Sequence, residues 1–200
     1  MFKDQEALLF EVAAEVCYKM GGIHTVLTTK APHMQQLWGD KYFLVGPYLP
    51  NQNYEGIFRA ASETDIPHPA VRQAVHSMRA MDAHVQAGHW LIEGRPFVIL
   101  IDATVSLPGY DDYFKAQLDK HYNGVLPDDS IIHYYLRFGF LVELFFKQLS
   151  ACAGDGPRAV VHFHEYMTTL ALPAINALGM RTVFTTHATV IGRHHAPSFT

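Results

Sequence analysis

Three short clusters in this 200-residue chain combine residues that could do chemistry: Lys19-Met20-Gly21-Gly22, His162-Phe163-His164-Glu165, and Thr185-Thr186-His187 with Arg193 beyond it. The diglycine lies between an apolar run, Ala7-Leu8-Leu9-Phe10, and a segment with helical spacing that opens at Ile23. That is the layout of a turn that cradles a phosphate. Glycine opens backbone angles closed to other residues and lets a ligand approach the main chain. A helix starting there aims its free N–H groups and positive dipole end at an anion. Lys19 supplies a point charge suited to phosphate, although a lysine in that position is more often a solvated one on the side of a helix. Most glycine pairs only make turns, so the later clusters carry the argument.

His162 and His164 alternate along an apolar segment. On a strand they face the same side and could both reach one ion, with His187 completing the site of a metal-dependent hydrolase. The plain alternative is a histidine at the core edge that holds a neighbouring loop. Ligand geometry selects a metal more than histidine count does, and no metal is assigned. Glu165 either lines a pocket or caps the helix after it. Arg193, in Gly192-Arg193-His194-His195, is an anion contact or plain surface. Trp38 and Trp90 read as core rather than as sugar platforms.

These residues must be positioned by regular elements. The spacing predicts a helix from about 23 to 38, a buried strand over 41–47, and an excursion of little regular structure over 49–69. A helix over 70–81 follows, then strands over 84–90 and 97–102 joined by a turn. Residues 107–129 are turn-rich, with Tyr110, Tyr113 and Phe114 among them. A long helix is expected over 130–153, a strand over 159–165, a helix over 167–178 capped by Gly179, and a strand over 181–187. Strands alternating with helices argue for an α/β fold, an open, mostly parallel sheet with helices on both faces. Ligands of such sheets sit beyond the carboxyl ends of the strands. Gly21-Gly22, His164-Glu165 and His187 all fall there.

Composition narrows the class. Hydrophobic residues at 49% and charged residues at 17% belong to a folded globular domain, and the length suits a single one. A net charge of -4 gives no electrostatic case for nucleic acid or an anionic membrane. Two isolated cysteines, Cys17 and Cys152, make no disulfide framework and point to a reducing, cytoplasmic setting. The first residues are acidic where a signal peptide would be basic then apolar. The apolar stretch over 131–149 carries Arg137, Glu143 and Lys147, which suits a buried helix and not a membrane span.

With these residues laid out, the chain resembles the N-terminal portion of the glycogen synthases of the animal and fungal type, glycosyltransferase family 3. The likeness lies in Leu9 to Ala13, Lys19 to Leu27 with its Gly-Gly-Ile-His-Thr-Val, Trp38 to Tyr48, Trp90 to Gly94, His162 to Glu165 and Phe184 to Arg193. The resemblance implies a retaining glycosyltransferase of two Rossmann-like domains, the GT-B fold, moving glucose from UDP-glucose to the non-reducing end of an α-1,4-glucan such as glycogen. It implies that Lys19, Gly21, Gly22 and His164 bind the donor, and that His187, Arg193 and Glu165 are the catalytic residues. It calls for no cofactor beyond the nucleotide sugar, and it leaves a homo-oligomer of the full-length form open. His24 and Tyr166 depart modestly from the family's usual residues. The family's C-terminal domain has no counterpart in residues 1–200, so these are expected to form an incomplete N-terminal domain without synthase activity of its own. A non-catalytic glucan-binding module is the remaining alternative.

Overall fold

The computed structural model describes residues 7–107, 112–113, 115–117, 119, 130–152 and 158–187. Arg193, the His194-His195 pair, Tyr110 and Phe114 lie outside the described residues.

The elements run β1 (Leu8–Val12), α1 (Gly22–Trp38), β2 (Tyr42–Pro47), β3 (Phe58–Ala60), α2 (Pro69–Ala80), β4 (Val85–Trp90), β5 (Phe97–Ile101), α3 (Ser130–Ala151), β6 (Ala159–His164), α4 (Leu172–Ala177) and β7 (Arg181–Thr185). All seven strands form one sheet in the order β3-β4-β5-β2-β1-β6-β7. From β5 to β7 every neighbouring pair is parallel, whereas β3 and β4 are antiparallel additions at one edge. This is the open, mostly parallel sheet that the pattern predicts. Two expectations need correction. The 49–69 excursion carries strand β3 and a 3-10 turn at Glu63–Asp65. The helix expected over 167–178 is a 3-10 segment, Tyr166–Ala171, followed by the short α4. Gly179 does end it, at φ +82.

Register decides which face each residue takes, since aligned residues of parallel neighbours share a face. Phe10 aligns with Phe43 and Val161, and Phe43 with Phe97. These rings and aliphatics pack against α2, α3 and α4 in one core cluster. Phe10 stacks on Phe43 with centroids 5.3 Å apart and meets Phe146 edge-on at 5.0 Å. On the opposite face Leu9, Tyr42, Leu44 and Leu100 pack against Ile23 and Leu27 of α1 and against Trp90. Helices thus cover both faces, and strands β1, β2 and β5 are buried from end to end. That explains their continuous apolar character. One residue breaks it: Glu11, in the middle of β1, wholly buried.

Candidate functional site

An ionised carboxylate inside a sheet must be paired and hydrogen-bonded, or it neutralises. Glu11 is paired three times. Its Oε1 accepts the Tyr42 hydroxyl at 2.8 Å. Its Oε2 accepts the Lys30 ammonium at 2.7 Å and His164 Nε2–H at 2.9 Å. Burial alone would push this carboxyl up, but the hydrogen bonds from His164, Lys30 and Tyr42 together hold it below the ordinary carboxylate range. Burial, reinforced by the adjacent Glu11 charge, pushes the Tyr42 phenol up, so it stays a donor. Lys30 stands three residues beyond the buried Leu27 on α1, which lets its stem cross to β1.

The carboxyl end of β6 continues the network. Glu11 aligns with His162, and His164 with Thr185 on β7. His164, buried like Glu11, brings Nδ1 within 3.0 Å of His187 Nε2, with the ring planes 19° apart. His187 is exposed at the end of the chain of contacts. Burial, then the neighbouring His164, lowers its basicity. His162 Nε2 lies 2.8 Å from the Thr185 hydroxyl. Burial, and next His164, hold its pKa down at about 4, so it is a neutral imidazole.

Glu165 does not cap the segment that follows it; its side chain turns to β7 instead. Oε1 accepts the His187 N–H at 2.7 Å and the Thr186 hydroxyl at 2.9 Å. Its backbone, at φ +64 and ψ 165, occupies a region that side chains rarely adopt. The buried Thr168 hydroxyl holds that corner, donating to the carbonyls of His164 and Glu165.

At the diglycine the geometry differs from the sequence-based expectation. Neither glycine has a positive φ; Gly21 lies at φ −153, ψ −148, outside both the extended and the helical regions. A Cβ there would stand 3.1 Å from Glu15 Oε1, so a larger residue would have to press the Glu15 carboxylate aside by a few tenths of an ångström. Glu15 itself occupies part of the anion seat. Its Oε2 accepts the N–H of Gly21 at 2.7 Å and of His24 at 3.0 Å. Gly22 faces open space, and among the described residues nothing meets the N–H groups of Gly22 and Ile23. Lys19 is exposed beside them.

The structure therefore brings His164, Glu165 and His187 into one hydrogen-bonded group and sets Lys19, Gly21 and Gly22 beyond β1, the strand next to β6. Sequence reasoning missed Glu11, Lys30 and Glu15. The available signal was an acid inside Leu8-Leu9-Phe10-Glu11-Val12, an apolar strand run where only a paired charge can sit.

Residues 11–198 match the family model described as glycogen synthase. The chain belongs to the glycogen synthase family. It is 38% identical over 192 residues to the liver glycogen [starch] synthase of Homo sapiens, covering 95% of this chain and 27% of that one. The Neurospora crassa glycogen [starch] synthase is 35% identical over 190 residues, 94% of this chain and 26% of that one. Isoform 2 of Saccharomyces cerevisiae is 35% identical over 199 residues, 95% and 28% of the respective chains. The chain thus spans about a quarter of the length of the curated relatives it matches. Among solved structures, the α,α-trehalose 6-phosphate synthase of Burkholderia multivorans aligns with 90% of this chain and 32% of its own, at 15% identity and a TM-score of 0.37.

In this member of the glycogen synthase family the metal-hydrolase alternative meets a chemical obstacle. Among the described residues, the three ligand atoms that all lie within 4.8 Å of one another are those of Glu11, His162 and His164, not the His162, His164 and His187 set that spacing suggested. Glu11 Oε2 already accepts an ammonium and an imidazole N–H. A divalent ion there would have to displace Lys30 and take a proton from His164. No described helix is long and apolar enough to cross a membrane.

Proposed function

We propose that these residues form the donor-side domain of a retaining glucosyltransferase, which transfers glucose from UDP-glucose to the non-reducing end of an α-1,4-glucan in the cytoplasm. Family membership supports the class of reaction. The observation that carries the residue assignment is the clustering of donors and a histidine at the carboxyl ends of β1, β6 and β7, where open α/β sheets take their ligands.

Cleaving the sugar–phosphate bond builds negative charge on the leaving diphosphate and positive charge at the anomeric carbon. The free N–H groups of Gly22 and Ile23, the α1 dipole, Lys19 and Arg193 would stabilise the first. Gly22, which faces open space, lets the diphosphate approach the main chain beside Gly21, whose own N–H is turned to Glu15. His187 would meet the transferred glucose from the tip of β7. Glu165 fixes the His187 main chain, and the buried His164 acts behind the His187 ring. Attack by the acceptor hydroxyl on the face that the diphosphate leaves gives retention, with the leaving phosphate taking the proton. In this reading no metal or other cofactor is needed. The 200 residues on their own would hold the donor weakly and transfer no glucose.

Titration of the chain with UDP-glucose, followed by amide resonances, tests this reading. Saturable shifts at Gly22, Ile23 and His187, reduced in Lys19→Ala, are expected. Shifts confined to other surfaces would overturn the assignment.

A further inference from the structure

We infer that Glu11 is a positioning residue that acts through His164 to decide which nitrogen of His187 carries the proton, so that His187 presents an unprotonated Nδ1 outward. The argument is one of donors and acceptors. An ionised carboxylate only accepts, so the 2.9 Å contact to Glu11 requires a proton on His164 Nε2. Lys30, 2.7 Å from the same oxygen, already supplies the positive charge that balances Glu11. A second cation on that oxygen would be repelled by the ammonium, so His164 serves as a neutral imidazole with its lone pair on Nδ1. The 3.0 Å contact to His187 then requires the proton on His187 Nε2. A neutral ring has one proton, and His187 Nδ1 is left an acceptor.

Among the described residues, the groups in contact with this chain of hydrogen bonds fit that polarity. From α1 comes Lys30, and from β2 the Tyr42 hydroxyl, which donates to the other Glu11 oxygen. Beside His164 on β6 stands His162, with ring centroids 4.2 Å apart and its own contact to Thr185. From the β6 corner Glu165 accepts the His187 N–H and so fixes where the ring hangs. The main chain of His187 is set by one acid and its ring proton by another. Neither acid is adjacent to it in sequence.

The consequence rests on the glucosyltransferase reading: an outward acceptor suits a sugar hydroxyl and is ill suited to a phosphate. Specificity at His187 would then originate in a residue that touches no substrate. The tautomer assignment stands or falls independently of that reading, because it is read on the unliganded chain.

Long-range proton–nitrogen correlation of the histidine rings in the 200-residue chain, near neutral pH, tests it. His164 and His187 are both expected with the proton on Nε2 and a bare Nδ1. Glu11→Leu removes the acceptor and should release the Nδ1-protonated form of His187 to a measurable population. Glu11→Gln, whose amide oxygen can still accept from His164, should restore the native pattern. Should Glu11→Leu not fold, His164→Phe interrupts the same path while leaving Glu11 with Lys30 and Tyr42, and should release His187 equally. A wild-type His187 protonated on Nδ1 or on both nitrogens would overturn the inference. So would an unchanged His187 tautomer in His164→Phe.

Discussion

Glu165 Oε1 accepts the main-chain N–H of His187 at 2.7 Å, across two adjacent parallel strands. The residue that makes this bond does so from a backbone at φ +64, a conformation costing on the order of 1–3 kcal/mol for a side chain. Strain of that size persists only where the surroundings require it. Here the Thr168 hydroxyl below and β7 beside it supply the requirement.

Two substitutions at this corner separate strain from hydrogen bonding. Glu165→Ala keeps the strained backbone and loses the side-chain bonds to Thr186 and His187, so a loss of ~1–3 kcal/mol is expected. Glu165→Gly loses the same bonds but relaxes the backbone, and should be the more stable of the two. Urea unfolding of both variants gives the order directly.

Tyr42→Phe deletes a buried donor to an ionised acceptor while Lys30 and His164 stay in place. A loss of ~1.5–3 kcal/mol is expected, the range for hydrogen bonds to charged groups. Equal midpoints and slopes in wild type and variant would mean that the Tyr42 bond adds nothing to the Glu11 network.

Glu15 competes for the seat at the start of α1. Replacing it by Gln removes a negative charge next to the free N–H groups of Gly22 and Ile23. UDP should bind a few-fold more tightly, while the helix terminus loses ~0.5–2 kcal/mol of capping. Calorimetric titration and thermal unfolding of Glu15→Gln read the two effects separately.

Protonation of His162 sets a pH dependence with a defined sign. The folded chain keeps this ring neutral down to about 4, whereas the unfolded chain takes up a proton near the ordinary 6.5. Between those values the unfolded state binds more protons, so stability is complete above 6.5 and is lost as pH falls toward 4. His187, His24 and His68 are lowered in the same direction. The test is therefore differential: His162→Gln should flatten, and not abolish, the fall in urea midpoint between about pH 7 and about pH 5.

Gly46 lies on β2 against the segment that carries Glu15, and a Cβ there would stand 2.5 Å from Val16 Cβ. Gly46→Ala must push that segment off the strand, costing ~1–3 kcal/mol by overpacking. Amide shifts at Gly21 and Gly22 should accompany the loss. Their absence would show that the segment holds its place without this contact.

Much of the fold was legible along the chain. The apolar runs at Leu8–Val12, Tyr42–Pro47 and Phe97–Ile101 marked strands, because both faces of those strands are covered; Ala159–His164 marked another, although Val160 and His162 on it are only half-buried. Six sequence segments in the same succession along the chain, among them Lys19 to Leu27 and Phe184 to Arg193, were enough to mark the family. The edge was harder to read. Strand β3 has three half-buried or exposed residues, and its pairing with β4 comes from a neighbour, not from its own pattern.

The site divides along the same line. Residue types and strand ends were decided by the sequence, since periodicity places His164, Glu165 and His187 at the polar tips of apolar runs. The partners were decided only by tertiary structure. Glu11 and His164 are 153 positions apart, and their contact exists because β1 and β6 lie side by side in register. No local pattern encodes which strands become neighbours. The same folding places Glu15 on Gly21 and Lys30 on Glu11, turning isolated charges into the hydrogen-bonded frame that holds the histidines.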